Sequence, residues 1–242
     1  MKISVLWILI GGASLLIGQE AVAPGATTPE AGAQEAPQAA DDEPEGRIFG
    51  IIPNNKTVPN IKNVPQNARL EEPLTVRQKF NLATKDTTDP FTVVLAGFYS
   101  GIAQWQDDFP TWGQGGAAYG KRFGAAYGDQ VVGNYLTEAI FPALLHEDPR
   151  YFRMGTGLKR KRIGYALSRV VITRTDRGTN RFNYSEIVGN GVAAGVSTLY
   201  YPATERNAGE TAEKFAVQMI SDSAFNVLLE FWPDMKHAIF KK

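Results

Sequence analysis

Gly115-Gly116-Ala117-Ala118-Tyr119-Gly120-Lys121-Arg122-Phe123-Gly124-Ala125-Ala126-Tyr127-Gly128 is the stretch that decides how this chain folds. Gly116, Gly120, Gly124 and Gly128 recur every four residues, which places them on one face of an α-helix. Each glycine costs a helix about 1 kcal/mol relative to alanine. A face carrying four of them therefore predicts close approach of a second backbone, as in the small-residue ridges of membrane helices. Gly97 with Gly101 and Gly191 with Gly195 repeat the spacing in two further segments. Together they predict an all-α fold, a compact helical bundle of glycine-rich, close-packed helices, and the same faces are candidates for self-association.

The punctuation around the ladder is helical as well. Asp89-Pro90 and Asp148-Pro149 each place a capping acid before a proline at the first helical position. Helices are expected from about Pro90 to Gln106, from about Gly113 to His146 with Pro142 as a kink or division, and from Tyr184 to Tyr201. A fourth is expected from about Glu210 to Phe231, stopped by Pro233. Arg169 to Thr175 is rich in β-branched residues and reads as a short strand or a helix end. Asn134, Glu138, Asn190, Asp222, Asn226 and Glu230 interrupt the apolar segments, and each is expensive in hydrocarbon unless it faces protein.

Ahead of the bundle (residues 74–242) the composition changes twice. Residues 47–73 carry Pro53, Pro59, Pro65 and Pro73 and predict an extended strap, with Ile48, Phe49, Ile51, Ile52, Val58 and Ile61 as docking points. Residues 24–46 are an Ala/Pro/Glu segment too poor in large apolar side chains to offset ordering, hence a disordered linker. Residues 1–23 read as a secretory signal, with Lys2, an apolar run from Ile3 to Ile17 and a small-x-small site at Ala21-Val22-Ala23. Export to the periplasm or a membrane-associated place in the cell envelope follows as an expectation.

The 242 residues contain no cysteine and two histidines, which excludes a disulfide framework and a thiol nucleophile. A zinc site would have to be carboxylate-rich, so no metal and no cofactor are expected. Net charge is zero, but as the sum of two separated blocks. Gln19 to Gly46 holds seven acids and no base, whereas Arg150 to Arg181 holds ten bases against Asp176 alone. Those bases, Arg150, Arg153, Lys159, Arg160, Lys161, Arg162, Arg169, Arg174, Arg177 and Arg181, are candidates for an anionic membrane surface or a phosphate-bearing ligand. Export argues against nucleic acid as the partner.

His146 is the weak catalytic candidate. It could act as a general base, with Glu147 or Asp148 orienting it and Arg150, Arg153 or Arg174 holding an anion. The alternative is a helix C-terminus, where the dipole favours histidine. Two functions follow: a structural or binding protein of the envelope, associated with membrane through glycine faces and the basic segment, or an envelope enzyme acting on a phosphate-containing or other anionic substrate. The absence of Pro-Ser-Gly-His, and of any histidine soon after the arginines, separates the chain from type-2 phosphatidic acid phosphatases. Phe141-Pro142-Ala143-Leu144-Leu145-His146-Glu147-Asp148-Pro149-Arg150-Tyr151-Phe152, Ala166-Leu167-Ser168-Arg169 with Thr173-Arg174-Thr175-Asp176, and Arg181-Phe182-Asn183-Tyr184-Ser185-Glu186 resemble motifs of a group of exported bacterial proteins of unknown function. The resemblance spans about Pro90 to Pro233 and implies an envelope location without implying catalytic residues.

Overall fold

A computed structural model describes residues 47–58 and 72–240. The signal (1–23), the linker (24–46), and Pro59, Ile61 and Pro65 of the strap lie outside the described residues. The fold is mostly helical: α1 (Val76–Thr88), α2 (Pro90–Trp105), α3 (Gly116–Asn134), a π-helical turn (Tyr135–Ile140), α4 (Phe141–Leu145), α5 (Lys159–Ser168), α6 (Tyr184–Ser197) and α7 (Ala208–Phe240). Two small sheets correct the all-α expectation. β1 (Thr57–Val58) runs parallel to β3 (Tyr151–Phe152), while β2 (Glu147–Asp148), β4 (Ile172–Thr175) and β5 (Asn180–Phe182) form an antiparallel sheet in the order β2-β4-β5.

Local chemistry explains several helix starts. Thr75 and Gln78 form a reciprocal capping box on α1. Asp89 caps α2, with Pro90 at its first position, and the same carboxylate is gripped by Arg47 of the strap at 2.8 and 2.5 Å. The Arg47 hydrogen bond holds Asp89 below the usual carboxylate range. Asn183 caps α6 by accepting from Glu186 N. Asp148, expected to cap a helix, instead lies in β2, and its carboxylate accepts from the backbone and guanidinium of Arg150.

Pro233 does not stop the last helix. α7 continues to Phe240 because the residues around the proline are held from outside: Leu229 and Trp232 are buried in the main core with Ile48, Tyr151 and Ala166, and Met235 packs on them. Arg162 Nη2 also donates to the Glu230 carbonyl at 2.7 Å, beside the carbonyl of Leu229 that the proline leaves without its helical donor. The strap is part of this core. Ile48 is fully buried, and Phe49 meets Trp232 edge-on with ring centroids 4.7 Å apart.

Among the described residues the glycine ladder does not mediate helix packing. A Cβ on Gly116, Gly120 or Gly124 would meet nothing within 4 Å, and the same holds for Gly101, Gly191 and Gly195. Gly97 and Gly128 approach side chains rather than backbone, Tyr119 Oη at 3.3 Å and the Tyr200 ring at 3.7 Å. The reason is rotational: the buried positions of α3 are Ala118, Arg122 and Ala125, so the bulk-free face turns away from the core. Close backbone approach occurs instead at Gly189, where α6 crosses the π-turn. A Cβ there would lie 2.8 Å from Thr137 Cγ2 and 3.4 Å from backbone atoms of Leu136 and Thr137.

Candidate functional site

Four helical elements deliver acidic or amide side chains to one buried region. Asp86 comes from the last turn of α1, Glu138 from the π-turn, Glu186 and Asn190 from successive turns of α6, and Gln218 and Asp222 from successive turns of α7. Lys56 enters from the strap just ahead of β1. Its ammonium pairs with Glu138 and lies 3.3 Å from Asp86, whose other oxygen accepts from Asn55 at 2.8 Å. Asn190 Nδ2 bridges Glu186 Oε1 at 3.0 Å and Asp222 Oδ2 at 3.3 Å, and Gln218 Nε2 donates to both Asp222 oxygens.

The π-turn is what aims Glu138 inward. One residue too many in a helical turn rotates the following side chains, and such turns concentrate at functional positions. Glu138 is 3 % exposed, and its Oε2 has no partner among the described residues.

Burial sets the electrostatics. It raises Glu138 to about 8 even though Lys56 opposes the shift. Burial alone would lower Lys56, but the charges of Glu138 and Asp86 outweigh it and raise the ammonium above its ordinary range. Burial also raises Glu186 well above a normal glutamate, and the facing Asp222 adds to this; Asp222 is itself raised by burial. Asn190 Nδ2 bonds one oxygen of each, which brings the two acids together and disfavours their joint ionisation.

The region opens in two stages. A cleft of about 610 Å³ lies between α2, α3, α6 and α7, with apolar walls that include Phe91, Leu95, Tyr99, Phe225 and Leu228. Lys56, Asn190, Gln218 and Asp222 line both this cleft and an inner chamber of about 110 Å³, which runs on toward β2 and β4. Ser185 lines the chamber too. It is 3 % exposed, and its hydroxyl has no partner among the described residues. Near the mouth, Asp129 accepts from Tyr200 and Tyr201 at 2.5 and 2.8 Å, and Lys214 sits 2.9 Å from the centroid of the Tyr201 ring. Burial lowers Lys214 to about 8. Among the described residues, no group of three or more His, Cys, Asp or Glu side chains could hold a metal ion.

The sequence-predicted residues fall elsewhere or are occupied. His146 ends α4 in a left-handed conformation (φ 55°), its side chain 83 % exposed and 3.9 Å from Asp176, and it lines neither space. Arg150 is paired with Asp148, Arg181 with Glu147, and Arg162 with Glu230 and Asp234. Arg169 and Arg174 lie over the rings of Tyr165 and Phe152. Together with Arg150 they reach the sheet-side wall of the chamber, without His146. Arg153 is half-buried, while Lys159, Arg160, Lys161 and Arg177 are exposed. The ten bases are therefore not one patch, because Arg150, Arg162, Arg169, Arg174 and Arg181 are spent on carboxylates and aromatic rings around the β2–β4 region and α7.

Glu138, Asn190 and Asp222 carried a sequence signal, as polar interruptions of apolar helices. Lys56, Asp86 and Glu186 carried none, since each sits in a polar stretch and only the tertiary fold buries it. Comparison with protein-family models, with curated proteins and with solved structures returns no match.

Proposed function

We propose that this chain is a binding protein of the cell envelope that takes an amphipathic small molecule into the cleft between α2, α3, α6 and α7. One observation carries the reading: a space of about 610 Å³ with aromatic and aliphatic walls ends at a buried, incompletely satisfied polar floor. Its size falls in the range of about 300–1,000 Å³ typical of small-molecule sites. The apolar run from Ile3 to Ile17 supports export. The dispersal of His146 from Arg150 and Arg174 supports binding over phosphoester chemistry. N-phenyl-1-naphthylamine, a neutral fluorescent probe, should bind the protein saturably, and Ala103→Trp, which fills the cleft wall, should abolish binding without altering the helical circular dichroism. Absence of saturable probe binding refutes the reading.

A second role, contact with a membrane surface, is favoured by a different observation. Val94, Phe98, Gly101 and Trp105 recur along one face of α2 and are all exposed, Trp105 by 79 %. Val188, Val192 and Gly195 do the same on α6, and Leu199 is exposed just beyond its end. Among the described residues no helix is long and apolar enough to cross a membrane, so the contact proposed is peripheral. Exposed Lys159, Arg160 and Lys161 supply attraction to anionic lipid. Co-sedimentation with phosphatidylglycerol vesicles, weakened by Trp105→Ser, is the expected result; indifference to vesicles removes this role.

A further inference from the structure

We infer that the polar head of the ligand is a monocation, an aliphatic ammonium seated in the inner chamber among Glu138, Glu186 and Asp222. The inference rests on the cleft reading above and names the chemistry at the bottom of that cleft. It begins from a charge imbalance. On the sheet side of the chamber, Asp148 is matched by Arg150 and Glu147 by Arg181. Toward the mouth, Asp129 is matched by Lys214 and two tyrosine hydroxyls. What remains around the floor is Asp86, Glu138, Glu186 and Asp222 facing one cation, Lys56. Arg169 and Arg174 also reach the chamber, but from the β4 side, with their guanidinium groups on aromatic rings.

The hydrogen bonding points the same way. An ammonium offers three donors and no acceptor. The chamber offers unused acceptors: Glu138 Oε2 and Ser185 Oγ are buried and without partners among the described residues. Glu186 and Asp222, drawn together by Asn190 Nδ2, are two further acids that a ligand cation would let ionise together. An entering carboxylate would instead meet three carboxyl groups, and an alcohol would supply only one donor. Buried charge left uncompensated is costly, and a hydrogen-bonded counter-charge at this depth is worth far more than one at the surface. Lys56 and Asn190 already hold one oxygen each of Glu138 and Glu186, so the acceptors are fixed before the ligand arrives. The apolar walls of the adjoining cleft accommodate the alkyl body of such a molecule.

Seating the ammonium releases to solvent one proton held among Glu138, Glu186 and Asp222, all three raised by burial. The balance is one ligand cation in, one proton out. No covalent bond forms or breaks other than the carboxyl O–H.

The test compares decylamine, decanol and decanoate by isothermal titration calorimetry on the protein lacking its first 23 residues, at about pH 7 in phosphate and in Tris. Decylamine should bind about tenfold or more tightly than either analogue. Its observed enthalpy should differ between the buffers by the ionisation heat of up to about one released proton. Asp222→Asn, nearly isosteric, and Glu186→Gln as a second variant should each reduce the ratio of decylamine to decanol affinity by about tenfold. Equal affinity for the three probes, tightest binding of decanoate, or no saturable decylamine heat overturns the ammonium assignment. Loss of N-phenyl-1-naphthylamine binding to the parent protein overturns the cleft reading separately.

Discussion

Glu230→Gln tests whether the basic segment is an architectural device. Glu230 is 0 % exposed, and its carboxylate accepts from Tyr151 Oη at 2.9 Å, Met154 N at 2.9 Å, Gly155 N at 2.8 Å and Arg162 Nε at 2.8 Å. A glutamine keeps the shape but turns one oxygen into a donor. Placed toward Gly155, its amide would oppose a backbone N–H and a guanidinium. Placed toward Tyr151, it lets the hydroxyl rotate and accept, but it orphans the Met154 N–H, a cost of about 1–3 kcal/mol. In both orientations buried Arg162 is left with only Asp234, which is half in solvent, as its counter-charge. Removing one partner of a buried pair costs about 3–5 kcal/mol, a large share of a typical stability of about 5–15 kcal/mol. Urea unfolding followed by tryptophan fluorescence is the suitable assay, because Trp232 sits in the same core. A loss below about 1 kcal/mol with an unchanged denaturant slope would show that the network is incidental. Glu230→Leu with Arg162→Met should not recover the loss, since the apolar pair leaves the Met154 and Gly155 N–H groups and the Tyr151 hydroxyl without their acceptor.

The other predictions concern the helices and the titrating groups. Gly120→Ala and Gly124→Ala, both in open space, should raise stability by up to about 1 kcal/mol each through helix propensity, whereas Gly189→Ala, whose Cβ meets Thr137 at 2.8 Å, should lower it by about 1–3 kcal/mol; thermal unfolding of the three variants decides. His146→Gly should stabilise by about 1 kcal/mol by relieving the left-handed conformation, and His146→Gln should leave probe binding unchanged. Stability should pass through a minimum near pH 8, by up to about 1.4 kcal/mol per pH unit and proton on either side. Between 4.5 and about 8 folded Glu138 holds a proton that the unfolded chain has lost, so stability falls as pH rises, while above about 8 folded Lys214 has lost a proton that the unfolded chain keeps, so stability recovers toward 10.5. Urea titrations from pH 5 to 10 should show the falling limb flattened in Glu138→Gln and the rising limb flattened in Lys214→Met.

The helices were legible because their signals are local. Asp89-Pro90 caps where the sequence places a cap, and the apolar segments of α2, α3 and α6 form the helices they suggest. The orientation of those helices was not legible. A four-residue glycine repeat fixes a face but not which way the face turns, and the buried choice went to Ala118, Arg122 and Ala125. Asp148-Pro149 misled because a capping dipeptide carries no information about whether a strand partner is near; Thr175 and Arg174 of β4 supply one here. Pro233 misled for a similar reason, since the contacts that keep α7 helical come from the strap and from α5, far away in sequence. The polar site was half legible. Glu138, Asn190 and Asp222 stand out inside apolar runs, but their convergence depends on a π-turn that no residue type in Tyr135–Ile140 announces.

The strap joins these two halves of the argument. Arg47 holds Asp89 at the start of α2, Ile48 fills the core against Trp232 and Leu229, and β1 adds to β3, so the segment is positioned at three points. Lys56 lies between the second and third of them and is the one cation delivered to the carboxyls of Asp86 and Glu138. Without it, burial would act on Glu138 without that opposition and drive it further toward the neutral acid. A neutral acid donates a hydrogen bond where the ionised form accepts one. Lys56 therefore holds one oxygen of Glu138 as an acceptor and limits the rise of its pKa to about 8. The core contacts of Ile48, which look like ordinary packing, thereby set the chemical character of a site they do not touch.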